Sequence, residues 1–234
     1  MKITSKLQAF SFHLVISFLF LLALYILIRI VWFPGPLIDI GGLRGIKIII
    51  GVDLVIGPIL TLVVFKYGKP GLKLDLTIIG ALQLACLAYG LLVVNYERPV
   101  AQILADDGVH LLTYADTKQH EFDLERFDTK GPKLLMLDLP EDPASWEQVK
   151  ITTEFLDGIP FLYRSDLYLD LLKVSPQDFQ SRVDIIQAKL NGSNKYFDSL
   201  PSREGCEWLP IHSPHFKGYV CFSNINGAIE LSAR

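Results

Sequence analysis

The chain has 234 residues, half of them hydrophobic, and a formal net charge of −3. Up to residue 94 there are eight Lys or Arg against three Asp, whereas the rest of the chain carries 14 against 22 Asp or Glu. The acidic balance argues against a nucleic-acid partner, and the change from a cationic, apolar part to an acidic part predicts two environments within one chain.

Three apolar segments in the first part of the chain predict three transmembrane helices. They cover residues 7–33, 46–67 and 74–94, and each has the roughly 20 residues that a hydrocarbon core about 30 Å thick requires. The first is longer than the apolar core of a signal peptide and has no small-x-small cleavage site before Trp32, so we interpret it as an uncleaved signal anchor. A membrane domain is therefore predicted over residues 1–95.

The lysines of this part indicate its orientation. Lys2 and Lys6 precede the first span, and Lys66, Lys69 and Lys73 lie between the second and third spans. Because positively charged loops stay on the cytoplasmic side, the N-terminus is predicted to be cytoplasmic. Three spans then place the remaining residues outside, which is the periplasm for a protein of a bacterial inner membrane.

Two charged residues fall inside the predicted spans. Arg29 lies roughly 6 Å and Asp53 roughly 10 Å from the outer ends of their spans, at 1.5 Å per residue. Their similar depth is compatible with an ion pair that fixes helix packing, with a contact between Asp53 and a partner protein, with snorkelling of Arg29, or with an ion pathway. Only Gln83 adds another deep, strongly polar group, which argues against transport. His13 is expected to add polarity at a helix interface.

Small residues and one proline mark the second and third spans. Gly51, Gly57, Gly80 and Gly90 are predicted to let helices pack closely. Pro58 is predicted to kink the second span about one turn beyond Asp53.

Residues 96–234 predict a small α+β domain on the outer side of the membrane. Alternating apolar residues and turn signals indicate strands, and one helix has a clear start, with Ser175 as N-cap and Pro176 in the first turn. The expected strands are residues 100–104, 109–114 and 133–139 and a hairpin within 219–231, and the expected helices are 143–156 and 176–190.

The outer domain contains little recognisable chemistry. It has no G-x-S-x-G, phosphate-binding loop or H-E-x-x-H motif, so we predict no enzymatic activity and no cofactor. The four residues Cys206, His212, His215 and Cys221 leave three alternatives: a disulfide, a zinc site or free thiols. We favour the disulfide because the compartment is oxidising, and predict no metal. His110 is interpreted as an ordinary surface or strand histidine.

Five segments together resemble the type IV pilin accessory protein family (the TfpX/TfpZ group). They are WFPGPL at 32–37, LRGIKIIIGVDLVIGPILTLVVF at 43–65, GKPGLKLDL at 68–76, ALQLACLAYG at 81–90 and NYERPVA at 95–101. The resemblance covers the membrane part and the first residues beyond it. The recurring residues of the family correspond here to Pro34, Gly35, Pro36, Gly51, Asp53, Gly57, Pro58, Lys69, Pro70, Lys73, Asp75, Arg98 and Pro99.

This resemblance implies a non-enzymatic inner-membrane protein that works with a particular type IV pilin. It would assist pilus assembly or modulate extension and retraction, contacting the major pilin, the assembly platform and membrane lipid. A membrane-anchored periplasmic sensor is the alternative, although the cytoplasmic side offers no effector domain. A thiol-redox enzyme is disfavoured because the chain has no C-x-x-C motif.

Overall fold

The computed structural model describes residues 3–40, 42–127, 131–140, 142–152, 154, 158, 160–190 and 199–233. The chain divides into two compact units. The helical unit comprises Met1–Phe33 and Gly41–Glu97, and the sheet unit comprises Pro34–Ile40 and Arg98–Arg234. The helical unit ends at Glu97, two residues beyond the predicted end of the membrane domain at residue 95. The assignment of the segment Pro34–Ile40 to the sheet unit was not predicted.

The helical unit contains three helices that are long and apolar enough to cross a membrane, as predicted: Lys6–Trp32, Gly45–Val64 and Leu72–Tyr96. The first consists of α1 and a π-helical turn, and the second consists of α2, a π-helical segment and α3, whereas the third is the single helix α4. The bounds are α1 Lys6–Leu27, π-turn Ile28–Trp32, α2 Gly42–Ile50, π-segment Gly51–Ile56, α3 Gly57–Val64 and α4 Leu72–Tyr96.

Local signals explain where two of these helices begin. Ser5 accepts a hydrogen bond from the backbone N–H of Gln8, and the Gln8 side chain accepts from the backbone of Ser5, which completes a capping box for α1. α4 follows Gly71, whose φ of 81° lies in the left-handed region that favours glycine. This turn allows the chain to reverse within a few residues of the end of α3.

The sheet unit is built on a seven-stranded mixed sheet in the order β4-β3-β1-β2-β5-β6-β7. The β1–β3 and β2–β5 pairs are parallel, and the other neighbours are antiparallel. The strands are β1 Pro99–Leu104, β2 Val109–Thr113, β3 Lys133–Leu137, β4 Tyr168–Asp170, β5 Glu207–His212, β6 Lys217–Ser223 and β7 Gly227–Ala233. The helices are α5 Tyr114–His120, α6 Pro143–Ile151 and α7 Pro176–Leu190.

Most predicted elements of this domain are present, but two strands and the helix α5 were missed. β4 has only three residues, too few for an alternating pattern. β5 contains Pro210, which lacks an N–H and therefore reads as unfavourable in a central strand. The structure accommodates this proline because Pro210 pairs only with Tyr219 of β6, and the pairing of β5 with β2 begins at Ile211.

Both faces of the sheet are covered by apolar residues. Along β1, Ile103 belongs to one core cluster and Leu104 to the other, and both are fully buried. α7 presents Phe179, Val183 and Ile186 to the Leu104 side, at the spacing of one helix face. Burial on both faces accounts for the nearly continuous apolar run of β1.

The segment Pro34–Ile40 belongs to the sheet unit because it contributes to this core. Its residues Gly35–Asp39 form a short 3-10 helix. Leu37 and Ile40 are each 2% exposed and join the same cluster as Leu104. Burial of two large aliphatic side chains provides on the order of 3–6 kcal/mol of transfer free energy, enough to hold a short segment in place.

Candidate functional site

The predicted ion pair between Arg29 and Asp53 is not formed in the structure. Nη1 of Arg29 donates instead to the carbonyl of Phe33 at 3.3 Å, and so satisfies a terminal carbonyl of its own helix. Asp53 is buried, and neither of its carboxylate oxygens has a hydrogen-bond partner among the described residues. The physical reason is local: a guanidinium near a helix C-terminus finds an acceptor within one turn.

A group of polar residues nevertheless crosses the interior of the helical unit. We call this group the polar seam. It consists of His13 of the first span, Asp53 and Thr61 of the second, and Gln83 of the third. Nδ1 of His13 lies 2.6 Å from Oγ1 of Thr61. The Thr61 hydroxyl donates to the carbonyl of Gly57 at 3.1 Å, so its oxygen accepts from His13. The expectation that His13 contributes helix-interface polarity therefore agrees with the structure.

Gln83 joins the seam from the third span through a glycine. Its Nε2 lies 3.5 Å from the backbone carbonyl of Asp53. A Cβ on Gly57 would come within 1.9 Å of that nitrogen, so a larger residue there would force the Gln83 amide to move. Thr61 was missed by the sequence analysis, although Asp53, Gly57 and Thr61 recur every four residues, the spacing of one helix face.

The prediction that four glycines of the second and third spans allow close helix packing is only partly correct. Besides Gly57, a Cβ on Gly90 would come within 2.6 Å of the Ile49 side chain. At Gly51 and Gly80, no atom of the described residues lies within 4 Å of the position that a Cβ would occupy, so their predicted packing role is wrong. Small residues therefore mark helix contacts at two of the four positions.

The irregular part of the second span precedes Pro58. The π-helical segment Gly51–Ile56 contains Asp53, and Pro58 lies in the first turn of α3. Proline has no N–H to donate to the carbonyl four residues earlier, which favours a local change of helix geometry. The buried carboxylate thus lies where the regular helical ladder is interrupted.

The other residues of the resemblance lie in three places. Lys69 and Pro70 lie in the turn before α4, and Lys73 and Asp75 lie in the first turn of α4, where Asp75 pairs with Lys69 at 2.6 Å. Pro34, Gly35 and Pro36 form the start of the short 3-10 helix of the sheet unit.

Arg98 and Pro99 begin the sheet unit. The Arg98 guanidinium lies 4.5 Å from the centre of the Tyr114 ring, and the Arg98 carbonyl accepts from the N–H of Tyr114. Pro99 pairs with Thr113 in the first position of the β1–β2 ladder. Both residues therefore anchor the beginning of β1 to the end of β2.

Cys206 and Cys221 form a disulfide in the structure, with 5.5 Å between their Cα atoms, which is the pairing favoured from the sequence. It links the residue before β5 to β6. Trp208 pairs with Cys221 in the β5–β6 ladder and donates from Nε1 to the carbonyl of Pro201 at 2.6 Å. The bridge therefore reinforces an apolar cluster at one end of the sheet.

A cleft of about 740 Å³ opens in the sheet unit, and Asp107, His110 and His212 line it. Nε2 of His110 lies 2.7 Å from Oδ1 of Asp107, and Nε2 of His212 lies 3.5 Å from Oδ2. The two imidazole rings stack with centroids 4.4 Å apart. The histidine pair was not predicted, because the pairing of β2 with β5 brings together residues about 100 positions apart.

The electrostatics of this trio favour an ionised carboxylate. Burial alone would raise the pKa of Asp107, but the hydrogen bond from His110 and the charges of both histidines outweigh it and lower the pKa to about 2. Asp107 is therefore negatively charged at neutral pH.

Comparisons with known proteins point to fimbriae. Two fimbrial assembly proteins of Dichelobacter nodosus, of serogroups E1 and I, are each 25% identical to this chain. The alignments cover 94% of this chain and 93% of the first relative, and 88% of each chain for the second. The fimbrial assembly protein of serogroups C1 and C2 is 33% identical over 94 residues, which are 38% of this chain and 71% of that relative. No protein-family model and no solved structure matches.

Proposed function

The chain belongs to the family of these fimbrial assembly proteins, and we propose that it is a non-enzymatic accessory protein for a type IV pilin. The similarity to two fimbrial assembly proteins over nearly the whole chain carries this proposal. We further propose membership of the TfpX/TfpZ group, because five segments of the membrane part and of the first residues beyond it resemble that group.

The proposed location is the bacterial inner membrane, with a cytoplasmic N-terminus and a periplasmic sheet unit. Three helices of sufficient length and apolarity support the spans. The lysine-rich turn between the second and third spans, which contains Lys66, Lys69 and Lys73, supports the orientation. The disulfide between Cys206 and Cys221 is compatible with an oxidising compartment.

The proposed mechanism is that the spans contact the apolar N-terminal helix of the pilin while the sheet unit contacts its globular head. Asp53 is the candidate for the first contact, which requires that the helices burying its carboxylate (7% exposed) move apart. A buried carboxylate without a partner is costly in a membrane, and its cost falls when a polar group of another protein pairs with it. We propose that such a group lies on the pilin or on the assembly platform.

Replacement of Asp53 by Asn tests this role. The variant keeps the shape of the side chain and removes its charge, so surface pili should decrease while the amount of protein in the membrane stays the same. Asp39→Asn is the control, because it removes the same charge from an exposed carboxylate. If Asp53→Asn is depleted but its surviving fraction assembles pili normally, Asp53 has only a structural role.

Photo-cross-linking tests the partner. Leu84 of α4 is 67% exposed in the helical unit, whereas Leu87 on the same helix is 8% exposed. A photoreactive residue at Leu84, or at the similarly exposed Leu19 or Val63, should form an adduct with pilin in membranes, and one at Leu87 should not. Absence of pilin adducts from all three exposed positions would contradict a contact through the spans.

A further inference from the structure

We propose that Asp107, His110 and His212 bind a divalent transition-metal ion, with Zn²⁺ as the best match to the three donors. One ligand atom from each residue lies within 4.8 Å of the others. Two imidazole nitrogens and one carboxylate oxygen are a donor set that Zn²⁺ accepts, with a fourth position left for water. The site is separate from the proposed pilin function and neither depends on the other.

The sheet brings the three residues together. His110 and His212 are register partners in the parallel pairing of β2 with β5, so their side chains leave the same face of the sheet. Asp107 lies three residues before His110, in the turn between β1 and β2. Two ligands thus come from a short local segment and the third from a distant strand, an arrangement that a regular ladder holds in position.

Gly108 permits the close approach of this turn to β5. Its φ of 147° lies in the region that favours glycine, and a Cβ there would come within 2.4 Å of the carbonyl of Pro210 and 3.2 Å of Nε2 of His212. A larger residue would push the turn away from His212. The turn sequence is therefore suited to placing Asp107 beside a histidine of another strand.

The distances require little change for an ion to bind. At metal–ligand distances near 2.0–2.1 Å, tetrahedral ligands are about 3.3 Å apart. The carboxylate oxygens of Asp107 lie 2.7 Å from Nε2 of His110 and 3.5 Å from Nε2 of His212. The ring stacking also limits the rotation of both imidazoles. For an ion to bind at Nε2 of His110, the neutral imidazole must carry its proton on Nδ1.

The metal site differs from the zinc alternative in the sequence analysis. That alternative used Cys206 and Cys221, which form a disulfide, and His215, which does not belong to the trio. Only His212 is common to both. Since all three ligands of the trio line the cleft, an ion held by them is reached from that cleft.

Zinc titration of the purified, metal-free full chain in detergent tests the site. ZnCl₂ is added during calorimetry, and bound zinc is counted by elemental analysis. We expect one zinc ion per chain, and at least about tenfold weaker binding for His110→Gln, His212→Gln and Asp107→Asn, which corresponds to about 1.4 kcal/mol. Zinc should also raise the unfolding temperature of the native chain, because it binds the folded state.

His215→Gln is the matched control, because it removes an exposed histidine three residues from His212 and leaves the trio intact. It should bind zinc as the native chain does. Unfolding of each variant without zinc separates lost binding from lost folding. The proposal is overturned if the native chain binds no zinc, or if the folded trio variants bind it as tightly as His215→Gln. Piliation assays are not used, so failure here leaves the proposed function untouched.

Discussion

The two units of the molecule treat their apolar residues in opposite ways. Among the described residues, 27 of the 31 large hydrophobic side chains that are exposed lie in the helical unit. In the sheet unit, apolar side chains form buried clusters on both faces of the sheet. An apolar surface of this extent is unfavourable in water but expected for helices that face lipid. In the sheet unit, the same residue types form the core instead.

The units also differ in how they treat a buried carboxylate. In the sheet unit, Nζ of Lys150 and Nζ of Lys189 each lie 2.8 Å from Oδ2 of Asp106. Burial would raise the pKa of Asp106, but the two lysines outweigh it and lower the pKa. In the helical unit, Asp53 has no such partner among the described residues. The contrast is therefore between a buried carboxylate with two lysine partners and a buried carboxylate whose oxygens have no hydrogen-bond partner among the described residues.

The largest expected change in the free energy of unfolding distinguishes a buried apolar residue of the sheet unit from an exposed one of the helical unit. Phe222 of β6 is fully buried, and Phe222→Ala should destabilise the sheet unit by about 3–5 kcal/mol, from lost transfer free energy and the cavity left behind. Leu84→Ala removes an exposed side chain of α4 and should change stability in detergent by less than about 0.5 kcal/mol. Denaturant unfolding of the full chain measures both, and equal losses would contradict the distinction.

Removal of the disulfide should have the next largest effect, again in the sheet unit alone. The bridge closes a loop of 15 residues, so Cys206→Ser with Cys221→Ser should cost about 3 kcal/mol on the chain-entropy model. Cys86→Ser in α4 is the control, because Cys86 is a free cysteine, and it should have little effect. Urea midpoints with and without reductant provide the measurement. A native chain insensitive to reductant would show that the bridge contributes nothing.

A smaller effect is expected from the glycine that makes room for Gln83. Gly57→Ala places a Cβ against the Gln83 amide and should cost about 1–3 kcal/mol through overpacking. Gly80→Ala introduces the same methyl group where no described atom lies within 4 Å, and should be neutral or slightly stabilising. Thermal aggregation in detergent compares them. If Gly80→Ala is the more damaging variant, the helix contacts are assigned wrongly.

The smallest effect concerns an exposed ion pair of the sheet unit. The hydrogen bond from Arg164 lowers the pKa of Asp166, and the side chain of Asp166 is 58% exposed, so solvent screens the pair. Its stabilisation, about 0–1 kcal/mol, is present above the unfolded pKa near 3.9 and is lost as the pH falls through the lower folded value. Asp166→Asn should therefore be slightly less stable than the native chain at pH 7, and the difference should shrink as the pH falls below about 3.9. A difference that stays constant as the pH falls would exclude the charge as its cause.

Local sequence patterns predicted the elements of the fold but not the contacts between them. Runs of apolar residues identified the three long helices, and alternation with turn signals identified five of the seven strands. The β5 strand was missed because Pro210 is locally unfavourable in a strand, whereas in the sheet it pairs with Tyr219 of β6 and lies outside the β2–β5 ladder. The segment Pro34–Ile40 was assigned to the membrane domain because nothing local shows that Leu37 and Ile40 enter a distant core.

The candidate sites show the same limit. Asp53 was conspicuous as a carboxylate in an apolar run, but depth along the helix did not reveal whether Arg29 turns toward it. Nothing in the sequence singles out Thr61, and only the structure shows that its hydroxyl lies 2.6 Å from His13. The trio of Asp107, His110 and His212 depends on the register of a parallel strand pair, which no short motif encodes.

The sequence by itself determined the three long apolar helices, the charge asymmetry and the two cysteines able to pair in the outer domain, because these depend on composition and on spacing along the chain. Only the tertiary structure shows that the Asp53 carboxylate has no hydrogen-bond partner among the described residues. It also shows that Pro34–Ile40 contributes to the core of the sheet unit and that two histidines lie beside Asp107. The physical reason is that such contacts join residues far apart in the chain, and their energies depend on geometry that local preferences do not specify.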